Sequence, residues 1–264
     1  MINTDKDRFD KIHDTKEYDI FERFVGNRWV ASPKGERRVK HIMESIKVKW
    51  IPIPIIISKG GKIIDGHNRL EAFKRLKMPV RYIISKVEAD AQDIQRINNV
   101  SYKWDAEDYL YSNLDIEKDS FPNSYHTKPY HMFLFFKTKY RFAHRNNLMF
   151  LLGLNYSNKE VEESFKHGFF KIKSWERAVS SAEYITNFRH LIPHINYKQR
   201  NFVTAFLQVM GHSKFRKKRW IEKLSQNSRR LVSCQRTSEY KEVILEIYNY
   251  KCQIDSRIEI RDAA

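Results

Sequence analysis

The segment Lys62–Leu76, with the sequence KIIDGHNRLEAFKRL, constrains the fold more than any other part of the chain. A short β-branched run, a polar turn and apolar residues at helical spacing predict a buried strand, a tight bend and an amphipathic helix. Gly66 permits backbone angles closed to other residues and lets a ligand approach the main chain. A helix beginning here presents free N–H groups and a partial positive charge, which favour an anion such as phosphate. The turn therefore predicts an anion pocket, with His67 and Arg69 as additional donors.

The polar side chains around this turn each have two interpretations. Asp65 is a helix cap or, as the lesser alternative, a catalytic carboxylate. His67 and Asn68 are turn residues or anion contacts. Arg69 is expected to bind an anion rather than to form a surface ion pair with Asp65 or Glu71. Glu71 complements the helix dipole, with catalysis as the minority interpretation.

The first half of the chain alternates short strands with helices. Residues 1–17 are expected to be a mobile or loosely docked arm, and Phe21–Val30 a first strand or short helix, followed by a turn at Ser32–Gly35. Asp105 is a plausible N-cap with Asp108 at the capping-box position. The further predicted elements are a helix at Glu36–Ile46, strands at Ile55–Ser58, Lys62–Asp65 and Pro79–Ile84, and helices at Arg69–Leu76 and Ala89–Asn98, the last with Ile94 and Ile97 inward.

The second half is helical almost throughout. Residues 113–129 are polar, contain two prolines and show little apolar periodicity, which predicts a connector. The fold class is therefore α+β, with a small α/β domain at 18–112 and an all-helical basic domain at 130–264. The candidate helices of that domain are 130–140, 144–153, 158–167, 174–191, 197–210, 213–225 and 238–249.

With these motifs in view, the first half resembles the ParB/sulfiredoxin superfamily, in the form found in phage and plasmid ParB-like proteins. The resemblance covers roughly residues 20–110, and the segment Asp65–Ala72 is its most specific part. The matching pieces are Gly26–Arg28, Lys40–Ile46, Ile53–Ile57, Ile64–Leu76 and Pro79-Val80.

The resemblance implies a nucleotide-phosphate pocket, with the helix 36–46 as one wall. The chain also departs from the family pattern in two places. Gln95–Asn99 lacks the acidic residue that nucleotide-hydrolysing relatives carry, and residues 1–233 lack the cysteine of sulfiredoxins. Nucleotide hydrolysis and sulfiredoxin chemistry are therefore not expected. The pocket residues implied are Gly66, His67, Asn68 and Arg69, closed on another side by Asn27 and Arg28.

Some superfamily members are small-molecule kinases and others are described as nucleases. Both need carboxylates near the turn for a base or for Mg²⁺, and Asp65 and Glu71 are the candidates. The sequence leaves open whether the protein is an enzyme. The cofactor stays unidentified, with a nucleotide and Mg²⁺ as the candidate.

The net charge of +17 is concentrated in the second half. Residues 1–124 hold 23 Lys+Arg and 20 Asp+Glu, a net of +3, whereas residues 125–264 hold 26 and 12, a net of +14. A basic half of this kind fits a polyanion, with DNA favoured over RNA, although a basic surface kept for solubility has the same composition. The candidate phosphate-contacting residues are Lys198, Arg200, Lys214, Arg216, Lys217, Lys218, Arg219, Arg229 and Arg230.

Composition excludes several other classes. No apolar run approaches the ~18 residues that span a bilayer, so no membrane partner is expected. The N-terminus is polar and mixed in charge, and two cysteines give neither a disulfide framework nor a metal-spaced cluster, which predicts a cytoplasmic protein. A non-catalytic module whose positive charge binds an acidic protein remains the alternative to DNA binding.

Overall fold

The structure is a computed structural model, and its description covers residues 11–27, 30–86, 88–101, 104–153 and 158–259. Within these residues the chain is α+β, with a small mixed sheet and many helices. It divides into two units at Tyr130 and His131. The first unit contains the sheet and also includes Phe165–Gly168.

Five short strands form the sheet of the first unit: β1 (Ile12–Thr15), β2 (Glu22–Arg23), β3 (Ile55–Ile57), β4 (Lys62–Asp65) and β5 (Val80–Ile84). Their order is β1-β5-β3-β4-β2. The β1/β5 and β3/β4 pairs are antiparallel, whereas β3/β5 and β2/β4 are parallel. The three strands predicted at 55–58, 62–65 and 79–84 are therefore confirmed to within a residue.

The expected N-terminal arm contributes a strand to this sheet. Ile12 lies opposite Ile83 and Thr15 opposite Val80, and the Arg81 guanidinium binds Asp14 at 3.0 Å. The expectation of an arm is thus wrong for residues 12–15, because their pairing partner lies some seventy residues further along the chain. Residues 1–10 lie outside the described part. Within the described residues of the segment 21–30, which are 21–27 and 30, the strand is limited to Glu22–Arg23.

Two helices pack together beside the sheet, α1 (Pro33–Val48) and α2 (His67–Leu76). α1 includes the predicted turn at 32–35, because Ser32 Oγ accepts the Gly35 N–H at 3.0 Å and Pro33 opens the helix. Phe73 of α2 belongs to the buried core of this unit. The other buried members of that core are Phe21, Ile55, Ile57, Ile63 and Val80.

The first unit also contains two further helices, α3 (Ala91–Ser101) and α4 (Ala106–Ser120). In α3, Ile94 is buried as predicted, whereas Ile97 is 43% exposed, so its predicted inward placement is wrong. α4 begins with the predicted capping box of Asp105 and Asp108. It also runs through half of the expected connector, because Asn113 and Leu114 are buried and the Asn113 amide donates to Phe165 O at 3.2 Å.

The second unit is built from helices within its described residues. Their predicted positions are confirmed, with boundaries shifted by up to four residues. They are α5 (Pro129–Tyr140), α6 (His144–Leu152), α7 (Asn158–Lys166), α8 (Trp175–Phe188), α9 (Arg200–Met210), α10 (Lys217–Asn227) and α11 (Thr237–Asn249).

Aromatic rings dominate the core of this unit. Phe206 lies at its centre, with ring centroids 5.0 Å from Phe188 and 5.3 Å from Trp220, and all three side chains are almost fully buried. α9 packs extensively on α11, and α10 also packs on α11. None of the helices in the described ranges is both long enough and apolar enough to cross a bilayer.

Candidate anion pocket and nucleic-acid interface

Gly66 joins β4 to α2 in a left-handed conformation, with φ of 105°. A Cβ atom at this position would lie 2.4 Å from Cγ2 of Ile55, whose side chain is completely buried. The glycine is therefore required by the core beneath the turn. The approach of a ligand, which the sequence suggested as the reason for a glycine, is not needed to explain it.

Asp65 and Arg69 form an ion pair across the start of α2. Arg69 Nη2 donates to Asp65 Oδ2 at 2.8 Å and to the Pro54 carbonyl at 3.3 Å. Gly66 is the N-cap of α2 and no side chain caps it, so the preferred role of Asp65 as a cap is wrong. The ion pair, which the sequence ranked second, is what the structure contains.

His67 contributes no positive charge to the turn at neutral pH. Burial lowers the pKa of His67 to about 4, the Arg23 cation acts in the same direction, and Asp115 and Asp65 act against it. Its Nδ1 atom is buried and has no hydrogen-bond partner among the described residues. His67 is therefore a neutral, half-buried side chain.

Asn27 supports the strand instead of facing a ligand. It is 2% exposed, and its amide donates to the carbonyl of Ile63 at 3.2 Å and to that of Ile64 at 3.5 Å. This places it behind the end of β4. Arg28, the other residue expected to close the pocket, lies outside the described residues.

Glu71 belongs to a separate ionic cluster. Arg75 donates from Nε to Glu71 at 2.7 Å and binds Glu36 of α1 through both terminal nitrogens, at 2.7 and 2.9 Å. Asp65 and Glu71 thus bind different arginines. In the described ranges there is no group of three or more His, Cys, Asp or Glu side chains suited to a metal ion.

A groove of the first unit lies along α1 between Lys34 and Glu44 and has a volume of about 690 Å³. α1 forms one wall of this groove, and Asn68 is the one residue of the turn in its lining, so Gly66, His67 and Arg69 do not line it. Asn68 Oδ1 is buried and unpaired within the described structure. The polar lining consists of Lys34, Arg37, Arg38, Lys40, His41 and Asn68, with Glu44.

The cations of this groove differ in their partners. Lys34 binds Asp105 and Asp108, and Arg38 lies 3.7 Å from Asp108. Arg37 and Lys40 are exposed and form no ion pair with any described carboxylate. The sequence interpretation missed this basic face, although Lys34, Arg37, Arg38 and His41 have the i, i+3, i+4, i+7 spacing of a single helix face.

In the second unit, three of the predicted basic residues around the start of α10 are held by neutral groups. Lys217 Nζ donates to Ser180 Oγ at 2.9 Å and lies 5.1 Å from the Tyr184 ring centre. Arg219 donates to the Ser256 carbonyl at 3.1 Å, and Arg216 donates to two carbonyls of its own loop. Lys214, Lys218 and Arg229 are exposed, and their side chains make no hydrogen bond or ion pair to described residues.

A second group of cations surrounds Tyr250, which follows α11. The Arg230 guanidinium lies 4.5 Å from the ring centre and the Lys251 ammonium 5.4 Å from it. Lys223 donates to the Tyr250 carbonyl at 2.6 Å. Arg230 was predicted, whereas Lys223 and Lys251 were missed. The adjacent pair Tyr250-Lys251 is the sequence signal that would have found the latter.

The two remaining predicted residues lie before and at the start of α9. Lys198 donates to the Arg141 carbonyl at 3.4 Å and lies near the Phe142 and Tyr197 rings. Arg200 lines a small cavity of about 150 Å³ with the Arg145–Glu162 ion pair. Arg200 is therefore set apart from the phosphate-contacting candidates, because an acidic side chain is part of its surroundings.

Several arginines of the first unit form ion pairs with carboxylates, unlike most of the predicted basic residues of the second unit. These arginines bind carboxylates at 2.6–3.0 Å, as in the pairs Arg23–Asp115, Arg69–Asp65, Arg75–Glu36, Arg81–Asp14 and Arg96–Asp93. In contrast, eight of the nine predicted basic residues of the second unit, with Arg200 left out of the comparison, form no ion pair with a described carboxylate. Five of the eight are positioned by neutral groups, whereas Lys214, Lys218 and Arg229 are exposed without such contacts.

Comparison of the chain with protein-family models, with curated proteins and with solved structures found no match. The resemblance to the ParB/sulfiredoxin superfamily stays a prediction that rests on the residues quoted above.

Proposed function

We propose that this is a ParB-like protein that binds nucleic acid, with DNA favoured, through the basic face of its helical unit. The observation that carries the proposal is the set of cations around α10 and Tyr250 that are positioned by hydroxyls, carbonyls and aromatic rings. Neutral acceptors fix an ammonium or guanidinium group without cancelling its charge. Such a surface releases condensed counterions when it binds phosphates.

A basic surface kept only for solubility is the competing explanation. Solubility needs net charge but does not need ordered cations, and fixing a long side chain costs rotamer entropy. Lys217, Arg219 and Lys223 each bear that cost through a specific hydrogen bond. Their fixed positions therefore support a phosphate-contacting role over a purely solvated one.

The test uses the full chain and fluorescence anisotropy with labelled duplex DNA, single-stranded DNA and RNA over a range of salt. In the test variant, Lys214, Lys218 and Arg229 are each replaced by Gln, since all three side chains are exposed and unbonded in the described structure. In the control, Lys16, Lys59 and Lys74 of the first unit are replaced by Gln, which removes the same charge from exposed sites.

We expect tight binding at low salt, with the test variant reducing the duplex salt slope by about 0.9 for each phosphate that it no longer neutralises. The control variant should keep the wild-type slope. Absence of binding to all three nucleic acids at low salt would overturn the proposal. So would equal effects of the two variants, because binding would then depend on net charge and not on this face.

The groove along α1 supports a second binding activity, for an anion such as a nucleotide. Arg37 and Lys40 supply exposed positive charge and form no ion pair with a described carboxylate, and Asn68 supplies a buried oxygen without a partner. A nucleotide at 100 times its Kd would stabilise the fold by about 2.7 kcal/mol. A thermal-shift panel with and without Mg²⁺ tests this. The stabilisation should disappear when Arg37 and Lys40 become Gln and persist when Lys59 and Lys74 do.

The enzyme alternative receives no comparable support. Asp65 and Glu71 are each hydrogen-bonded to an arginine, which suits a structural role. Mg²⁺-dependent cleavage or phosphate transfer that disappears in Asp65→Asn or Glu71→Gln, with the fold intact, would reverse this assessment.

A further inference from the structure

A second groove of the first unit lies between the C-terminal half of α1 and α2, with a volume of about 310 Å³. Ile42 and Ile46 of α1 and Phe73 of α2 line it. Phe73 is 3% exposed and belongs to the core, and Ile46 packs against that core. The groove is therefore an apolar opening that leads directly to the core of the unit.

The segment after α1 presents apolar side chains beside this groove. Ile51 and Ile53 line it and are 62% and 50% exposed, and the neighbouring Val48 and Trp50 are 89% and 41% exposed. Four large apolar side chains within six residues are thus exposed, and such a concentration of exposed apolar side chains marks a candidate interaction site. Neither the anion groove nor the basic face of the helical unit uses any of them.

Local contacts restrain the backbone of this segment. Pro52 and Pro54 fix two backbone φ angles, and the Ile53 N–H donates to Ile51 O at 2.8 Å. Arg69 Nη2 donates to the Pro54 carbonyl at 3.3 Å, which ties the segment to α2. A preformed wall reduces the ordering cost of binding.

The groove carries positive charge, which favours an acidic partner. Lys49 and Arg69 line it, Lys47 is exposed nearby, and the lining contains no carboxylate. Lys47 and Lys49 form no ion pair with any residue in the described ranges. Apolar side chains beside unneutralised lysines complement a segment with apolar residues on one face and carboxylates at its edge.

We propose that this groove binds a short, acidic, amphipathic segment of another protein. A second copy of this chain is disfavoured, because two molecules of charge +17 repel each other. A membrane surface is disfavoured because Ile51 and Ile53 line a concave groove, whereas interfacial anchors present a convex apolar face to lipid.

The experiment measures binding of fluorescein-labelled peptides of about 14 residues to the full chain by anisotropy. The first peptide has Leu at i, i+3, i+4 and i+7 and Glu at the polar positions. The second has Lys in place of Glu, and the third has Ser in place of Leu. The test variant is the double substitution Ile51→Ser/Ile53→Ser, and the control is Val232→Ser, a residue of the second unit that is 52% exposed.

We expect the acidic leucine peptide to bind best and the double variant to bind it at least about tenfold more weakly. The control should bind like the wild type, and Lys49→Glu should weaken the acidic peptide while strengthening the basic one. All these side chains are exposed, so the variants should keep their thermal melts, and DNA binding should be unchanged.

Three outcomes would overturn the proposal. The first is that the acidic peptide binds no better than the other two, or equally well to wild type and double variant. The second is wild-type binding to anionic phosphatidylserine vesicles that the double variant loses, with no peptide preference, which would identify a lipid surface. The third is a concentration-dependent dimer that the double variant abolishes, which would identify a second copy as the occupant.

Discussion

Gly66 packs so closely against Ile55 that no residue with a Cβ atom fits at this turn. The Cβ of a larger residue at position 66 would lie 2.4 Å from Ile55 Cγ2 and 2.8 Å from Ile55 Cβ. The glycine also has φ of 105°, which L-residues rarely adopt. The bend between β4 and α2 is thus fixed by the core and does not depend on an occupied pocket.

Gly66→Ala should therefore destabilise the protein in the absence of any ligand. Backbone strain and the clash with Ile55 together predict a decrease of about 2–4 kcal/mol in the free energy of unfolding. Urea denaturation measures it. Gly60→Ala is the matched control, since the nearest atom to its added Cβ is Ser58 Oγ at 4.0 Å. Equal stability of the two variants would contradict this account of the turn.

The ion pair of Asp65 and Arg69 should produce a measurable coupling energy. Both side chains are about one-third exposed or less, so a double-mutant cycle with Asp65→Ala and Arg69→Ala should give a coupling of about 1 kcal/mol. The more exposed pair Asp93–Arg96 should give about 0.3 kcal/mol. A coupling near zero for the first pair would mean that Arg69 is available to an anion, as the sequence suggested.

His67 should make the protein less stable in mild acid. Its pKa is about 4 in the folded state, below the value of about 6.5 in an unfolded chain, so protons bind the unfolded state preferentially. Its stabilising contribution is therefore complete above pH 6.5 and is lost as the pH falls from 6.5 towards 4. The decrease in stability should reach about 3 kcal/mol at most, measured by urea denaturation across this range.

The variant His67→Gln, which cannot titrate, should show a flatter stability profile between pH 4 and 6.5. His41→Gln is the control, because the His41 side chain is 91% exposed and packs against no core. An unchanged slope in His67→Gln would mean that other groups cause the pH dependence.

At the start of α4, two substitutions of Asp105 can separate the stabilising effect of the helix cap from that of the ion pair. Asp105 accepts the N–H groups of Glu107 and Asp108 and also binds Lys34. Asp105→Asn keeps a capping oxygen and removes only an exposed ion pair, so it should be nearly neutral. Asp105→Ala removes the cap and should cost about 1 kcal/mol in thermal or urea unfolding. If both variants cost the same, the ion pair and not the cap stabilises this end.

Local patterns were enough to predict most elements. The strand, turn and helix at residues 62–76 and the capping box at Asp105 follow from short-range periodicity and from single side chains that bind backbone within three residues. α4 shows where this fails. Its polar second half looked like a connector, because the acceptor of the Asn113 amide lies 52 residues away at Phe165.

The candidate sites were only partly predictable for a related reason. The sequence identified Arg69 and the basic residues near α10, but it could not decide what each cation binds. Arg69 binds Asp65 and the Pro54 carbonyl, whereas Lys217 binds Ser180. Those partners are selected by tertiary structure. The same holds for Ile51 and Ile53, which resemble the core residues of a strand in sequence yet remain exposed.

The antiparallel pairing of β1 with β5 has a consequence for synthesis on the ribosome. Residues 12–15 are made well before the strand that they pair with, which is complete only at Ile84. Until that point has left the exit tunnel, the early segment has no edge to join, and the sheet closes over a long sequence separation that slows folding. A nascent chain arrested before residue 80 should therefore expose an unpaired strand to chaperones and proteases.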